Sequence, residues 1–170
     1  MVKIAVGQKA PGFLLLPATG GKMWKPADVH GEQLVMYFYP RDMTSGCTLE
    51  SQQFRDLYPA FRKEHTHIVG VSRDSVESHE RFKKQENLPF TLIADEQETL
   101  CNLFDVIKKK TLYGRKFRGI ERSTFLFDVE GVLRHEWRNV KVPGHAAKVL
   151  EAAQALAKET RELAIVDWEP

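Results

Sequence analysis

Gln33-Leu34-Val35-Met36-Tyr37-Phe38-Tyr39-Pro40-Arg41-Asp42-Met43-Thr44-Ser45-Gly46-Cys47-Thr48-Leu49-Glu50 is the stretch on which the fold turns. Residues 33–39 form a nearly continuous apolar run, β-branched and aromatic, stopped by Pro40. That length and content favour a buried central strand. From about residue 46 to residue 64 the period changes. Phe54, Leu57, Tyr58 and Phe61 fall on one face at helical spacing. Pro59 lies inside the pattern and predicts a kink, because it removes a backbone donor. In open α/β sheets ligands gather beyond the carboxyl ends of strands. Cys47 therefore stands in the first turn of a helix, among unpaired N–H groups and at the positive end of the dipole. Both favour thiolate, and cysteine pKa is commonly lowered there from about 8.5 to roughly 3.5–7.5. A thiolate attacks peroxide oxygen and becomes a sulfenic acid that another thiol can reduce. On position alone, a small packed residue that happens to open a helix fits equally well.

Outward from this stretch, strands alternate with helices. Residues 13–16 read as a short strand, and Gly20-Gly21 as the turn of an N-terminal β-hairpin. Residues 67–72 predict a strand, 76–86 a polar helix, 90–94 a short strand and 96–104 a short helix. Residues 108–119 read as a basic, glycine-containing loop. Residues 123–127 and 132–137 predict two strands around Asp128-Val129-Glu130-Gly131, which resembles a hairpin turn. A last helix over 144–160 would turn Val149, Leu150, Ala153 and Leu156 inward. The alternation implies a parallel component and the late hairpin an antiparallel one. The expected class is α/β: a thioredoxin-like mixed sheet flanked by helices, over residues 1–160. Residues 161–170 form a C-terminal tail that reads as no particular element.

A chain of 170 residues fits one domain with a real core. Net charge is +2, which gives no general argument for nucleic acid or an anionic membrane. No apolar run approaches the roughly 20 residues that span a bilayer, and residues 1–7 lack the apolar region of a secretory signal. Two cysteines, with no CxxC pair, are too few for a disulfide framework or a zinc site. The simplest compartment is a reducing cytoplasm, where a free cysteine reads as chemistry.

Pro40-x-x-x-Thr44-x-x-Cys47 matches the peroxiredoxin signature PxxxTxxC. Phe38-Tyr39-Pro40-Arg41-Asp42, continued by Gly46-Cys47-Thr48-x-Glu50, resembles the Q-type subfamily, also called bacterioferritin comigratory protein. Residues 7–13 are similar to the family's opening GxxAPxF, residues 119–126 to its arginine-bearing strand, and residues 140–145 to the lead into its last helix. The resemblance covers about residues 7–156 in consistent order. It implies a thiol-dependent peroxidase acting on hydrogen peroxide and organic hydroperoxides, with no cofactor and no metal. Cys47 would be the peroxidatic cysteine, and Thr44 would hydrogen-bond the bound peroxide. Arg122 would lie against the thiolate and polarise the O–O bond, and Pro40 would shield the sulfur. Glu50, one turn after Cys47, either orients Arg122 through an ion pair or is a helix-start carboxylate favoured by the dipole. The subfamily also implies a monomer.

The chain departs from this family where a resolving cysteine is usual. Five residues after Cys47 stands Gln52, and in the following helix stand Lys83 and Lys84. The other thiol, Cys101, lies beside Leu100 and one turn before Phe104, which favours packing over resolution. A single-cysteine cycle follows, with an outside reductant such as glutathione, glutaredoxin or thioredoxin. Ser45 and Gly12 replace the family's usual Pro and Asp. The basic run Lys108, Lys109, Lys110, Arg115, Lys116 and Arg118 reads as a solvated loop, with guidance of anionic thiols as the alternative. His65-x-His67 lacks a third metal ligand. Trp24, Trp137 and Trp168 read as packing residues. Two other readings compete with the peroxidase: a thiol–disulfide carrier, disfavoured by the missing CxxC, and a non-catalytic, chaperone-like protein with a vestigial site, disfavoured by the joint presence of Pro40, Thr44, Cys47 and Arg122.

Overall fold

The computed structural model describes residues 3–168, with side chains through residue 165. The apolar run becomes β3 (Gln33–Phe38), buried along its whole length. It pairs in parallel with β4 (Thr66–Ser72), which pairs in parallel with β5 (Thr91–Ala94). On its other side β3 pairs antiparallel with β8 (Ser123–Phe127), and β8 with β9 (Leu133–Trp137). The N-terminal hairpin of β1 (Leu16–Ala18) and β2 (Lys22–Trp24) completes a seven-stranded mixed sheet in the order β2-β1-β5-β4-β3-β8-β9. The hairpin strand starts later than its apolar run suggests. Phe13 and Leu15 are exposed, and the ladder begins at Leu16.

Alternation along β3 divides the interior in two. Val35 and Tyr37 face one core with Phe54 and Phe61 of α1 (Ser45–Lys63), Phe82 of α2 (Val76–Glu86), and Val149, Ala153 and Leu156 of α4 (His145–Trp168). Leu34, Met36 and Phe38 face a second core with Trp24, Phe104, Phe125 and Leu100 and Cys101 of α3 (Thr99–Leu103). The helix face read from the sequence holds: Phe54 and Phe61 are fully buried, and Leu57 and Tyr58 pack at its edge. Pro59 sits inside α1. Gly70 in β4 leaves room for the neighbouring Tyr37 ring. A Cβ there would lie 2.9 Å from Tyr37 and 2.7 Å from Leu92, closer than side chains tolerate.

Two expectations are corrected. Residues 108–119 are not a loop but most of a separate two-stranded hairpin, β6 (Ile107–Leu112) and β7 (Arg115–Ile120). Its turn is Tyr113-Gly114, both at positive φ (51° and 75°), as a two-residue primed turn requires. Seven of the twelve strand positions are exposed, and they fall on both faces, so they carry no apolar alternation to read. The last helix does not stop near residue 160 but runs on to Trp168. Arg161 pairs there with Glu64 at 3.2 Å. The expected packing of Trp168 falls outside the described side chains.

Candidate active site

Cys47 occupies the first turn of α1, directly beyond the carboxyl end of β3. Its side chain is 1% exposed. The helix is tied to the sheet one turn further on, where Ser51 Oγ and Tyr37 Oη share a hydrogen bond of 2.9 Å. Thr44 is the N-cap residue, but its side chain does not cap the helix. Its hydroxyl donates instead to the Arg41 carbonyl at 2.9 Å. The first-turn N–H groups beside Cys47 thus receive no capping side chain.

Arg122 reaches this sulfur from the start of β8, the strand paired directly with β3. It lies between β7 and β8, and its carbonyl accepts from Val140 N at 3.0 Å. Nη2 donates to Cys47 Sγ at 3.4 Å, and Nη1 donates to Glu50 Oε1 at 2.7 Å. Glu50 thus stands in ion-pair contact with Arg122, one turn into α1. Gly46 leaves room for the guanidinium, since a Cβ at that position would lie 3.3 Å from Nη2, a tight contact.

Glu50 Oε2 is buried with no hydrogen-bond partner among the described residues. Burial pushes the Glu50 carboxyl up to about 7, against the pull of Arg122. A carboxyl raised in this way binds its proton more tightly folded than unfolded. Its contribution to stability is therefore present below the ordinary carboxylate range and is lost as pH rises towards about 7. We expect Glu50→Gln to shrink the difference in thermal midpoint between about pH 5 and about pH 8. An unchanged difference would place that pH dependence on other groups.

The loop over residues 40–44 joins β3 to α1 and is held from below. Asp42 is buried and its carboxylate accepts from Tyr39 Oη at 2.6 Å and from Ser78 Oγ at 2.8 Å. His79 Nδ1 lies 2.7 Å from Asp42 Oδ2, and His79 Nε2 lies 3.0 Å from the Ile93 carbonyl. The Asp42 amide donates to Asp74 Oδ2 at 2.9 Å, and Ser72 Oγ donates to the same oxygen at 2.5 Å. Asp42, Asp74 and His79 bring ligand-type atoms within 4.8 Å of one another. All three side chains are already engaged in this hydrogen-bond network. Met43, next in the loop, is held at φ 64°, a left-handed conformation that costs a non-glycine residue roughly 1–2 kcal/mol.

Pro40 is half-buried two residues after the end of β3. Of the residues named from the sequence, Arg122 contacts Cys47 and Glu50, Thr44 stands at the N-cap of the same helix, and Pro40 lies in the loop before it. The sequence reading passed over the Asp42–His79 pair. Two further groups feel the Arg122 charge, Lys110, read above only as part of the basic run, and His145, read only within the lead into the last helix. Lys110 Nζ donates to the Ile120 carbonyl at 2.6 Å, and the lysine is held below its usual range by burial and by the Arg122 charge. His145 Nε2 pairs with Thr124 Oγ1 at 2.8 Å, and burial with the Arg122 charge pushes its pKa down to about 4. It is a neutral imidazole near pH 7. Cys101 lies elsewhere. It is fully buried in the second core, on the opposite face of the sheet from Cys47. Burial and the Asp95 carboxylate push its thiol far up.

Comparison with known proteins agrees in family and in fold. The AhpC/TSA family model matches residues 6–136. The putative peroxiredoxin bcp of Coxiella burnetii is 46% identical over 149 residues, 88% of this chain and 98% of that protein. Peroxiredoxin Bcp of Xanthomonas campestris is 49% identical over 146 residues, 86% of this chain and 91% of that protein. A structure of the bacterioferritin comigratory protein of X. campestris, described for its alkyl peroxide reduction activity, superposes with a TM-score of 0.84. It is 45% identical and covers 90% of this chain and 99% of that one.

Proposed function

The chain belongs to the AhpC/TSA family and is a peroxiredoxin, a thiol-dependent peroxidase, and from that premise we propose that Cys47 reduces hydrogen peroxide and organic hydroperoxides in a single-cysteine cycle. The observation that carries this reading is the contact of Arg122 Nη2 with Cys47 Sγ at 3.4 Å, in the first turn of a helix. The sulfur attacks the distal peroxide oxygen and the O–O bond breaks. Sulfur is oxidised by two electrons to a sulfenic acid, and hydroxide or alkoxide leaves and takes up a proton. Negative charge moves onto the departing oxygen, so a donor aimed there beforehand lowers the barrier. Arg122 serves this purpose, since it is always charged and its donors form a rigid fan. With its hydrogen committed to Arg41, Thr44 Oγ1 is left as an acceptor for the peroxide O–H. Pro40 shields the sulfur. The relative described for alkyl peroxide reduction supports the organic substrate class.

The sulfenic acid then passes to an outside thiol, with glutathione, glutaredoxin or thioredoxin as candidate reductants. A first thiol condenses with it, forming a mixed disulfide and releasing water, and a second thiol frees Cys47. The sheet between Cys47 and Cys101 supports this reading, because a disulfide needs Cα atoms within about 7 Å and side chains turned towards each other. The cycle is assigned to a monomer in a reducing cytoplasm.

One equivalent of hydrogen peroxide should leave a sulfenic acid on Cys47 that a dimedone-type reagent traps. Cys101→Ser should turn over at nearly the wild-type rate with glutathione. Without reductant, excess peroxide should carry Cys47 on to sulfinic acid. A dominant Cys47–Cys101 disulfide in the mass spectrum would overturn the single-cysteine cycle and leave the peroxidase standing.

A further inference from the structure

We propose that the buried Asp42–His79 pair is a latch on the loop that precedes Cys47, and that it sets the balance between attack on peroxide and repair by an outside thiol. The inference rests on the Cys47 chemistry proposed above. Its starting point is a conflict of size. Cys47 is 1% exposed, which a small peroxide tolerates. The reducing thiol must place its own sulfur in line with the S–O bond and brings a larger body with it. The start of α1 has to open for that second half-reaction, so whatever holds residues 40–47 shut controls it.

Asp42 is the fixed point of that segment. It lies five residues before Cys47, with its side chain 2% exposed. Its carboxylate faces donors from Tyr39, just after β3, and from Ser78 and His79 in the first turn of α2. Its amide is bound by Asp74, which is itself held by Ser72 at the end of β4. His79 extends the chain of contacts to the Ile93 carbonyl in β5. A carbonyl only accepts, so Nε2 carries a hydrogen. The short Nδ1–Oδ2 contact ties the ring to the carboxylate. An anion at the start of α2 is also favoured by the helix dipole. Charge-assisted bonds in a site closed to water are strong, and they fail together once one partner leaves. Against them stands the left-handed Met43, one residue on, which gains by relaxing when the loop is released. Asp42 and His79 are thus positioning residues: they touch no reacting atom and act through the loop.

The test measures the two half-reactions separately in Asp42→Asn, His79→Gln and the double variant. Hydrogen peroxide is the first probe and glutathione the second. Misplacing a reacting group by about 1 Å can cost on the order of 10²-fold, so oxidation of Cys47 should slow between about 10- and 100-fold. Mixed-disulfide formation from the sulfenic acid should instead become several-fold faster. The fraction reaching sulfinic acid under excess peroxide should fall. The double variant should be no worse than the worse single, as expected for residues acting as one unit. Ser78→Ala, which removes one donor and keeps the pair, should shift both rates in the same opposite senses by less, and it serves if the charge variants do not fold. Rates that fall together, or neither rate changing, would overturn the latch. A wild-type protein whose Cys47 forms no sulfenic acid would overturn the premise. Wild-type oxidation with insensitive latch variants would overturn the latch alone.

Discussion

Cys47→Ser should fold like the wild type and lose peroxide turnover. The substitution is nearly isosteric in a site that is already closed, and it leaves the Arg122–Glu50 ion pair in place. Serine cannot do the chemistry, because its hydroxyl is not ionised near neutral pH and oxygen does not take the sulfenic step. Circular dichroism checks the fold, and peroxide consumption with glutathione checks turnover. Substantial activity in a folded Cys47→Ser protein would end the assignment of the nucleophile.

Arg122→Ala should slow peroxide reduction by on the order of 10²–10³, the usual cost of removing a donor from a preorganised site. The variant also strands Glu50, whose second oxygen is already without a partner among the described residues. Breaking a buried pair from one side typically costs about 3–5 kcal/mol. Here the cost is limited, because burial already holds the Glu50 carboxyl at about 7 and it can take up a proton. A thermal midpoint should therefore accompany the rate. Adding Glu50→Gln to Arg122→Ala should recover stability without recovering rate. If the double variant recovers rate as well, the loss belongs to the stranded carboxyl and not to the missing guanidinium. A single variant within a few-fold of wild type would assign the donor role to another residue.

How far the sequence reached depends on how local each signal was. The β3 run, the α1 face and the turn around residues 128–131 are written in neighbouring residues, and they form where the pattern puts them. Arg122 and Glu50 lie 72 positions apart, and the family motifs named both; their 2.7 Å contact is a property of the fold. The Asp42–His79 pair had no such pointer. It is 37 positions wide, and only the parallel pairing of β3, β4 and β5 brings the two residues together. The β6–β7 hairpin was missed for the opposite reason. Its turn signal was present in Tyr113-Gly114, but strands rich in lysine and arginine and wet on both faces lack a period. The run of α4 past residue 160 was missed because Leu163 and Ile165 are exposed there and mark no inner face.

The sheet that stands between Cys47 and Cys101 bears, if the proposed cycle holds, on how the protein's history is recorded. Many thiol proteins report their oxidation by a change of connectivity, visible as altered mobility on a non-reducing gel. Under the single-cysteine cycle proposed above, no disulfide forms within the chain and no such report is given. Reduced, sulfenic and sulfinic forms would share one contour length and one hydrodynamic size. The difference would reside in the mass of a single side chain, and a sample that looks uniform by gel could hold every state at once.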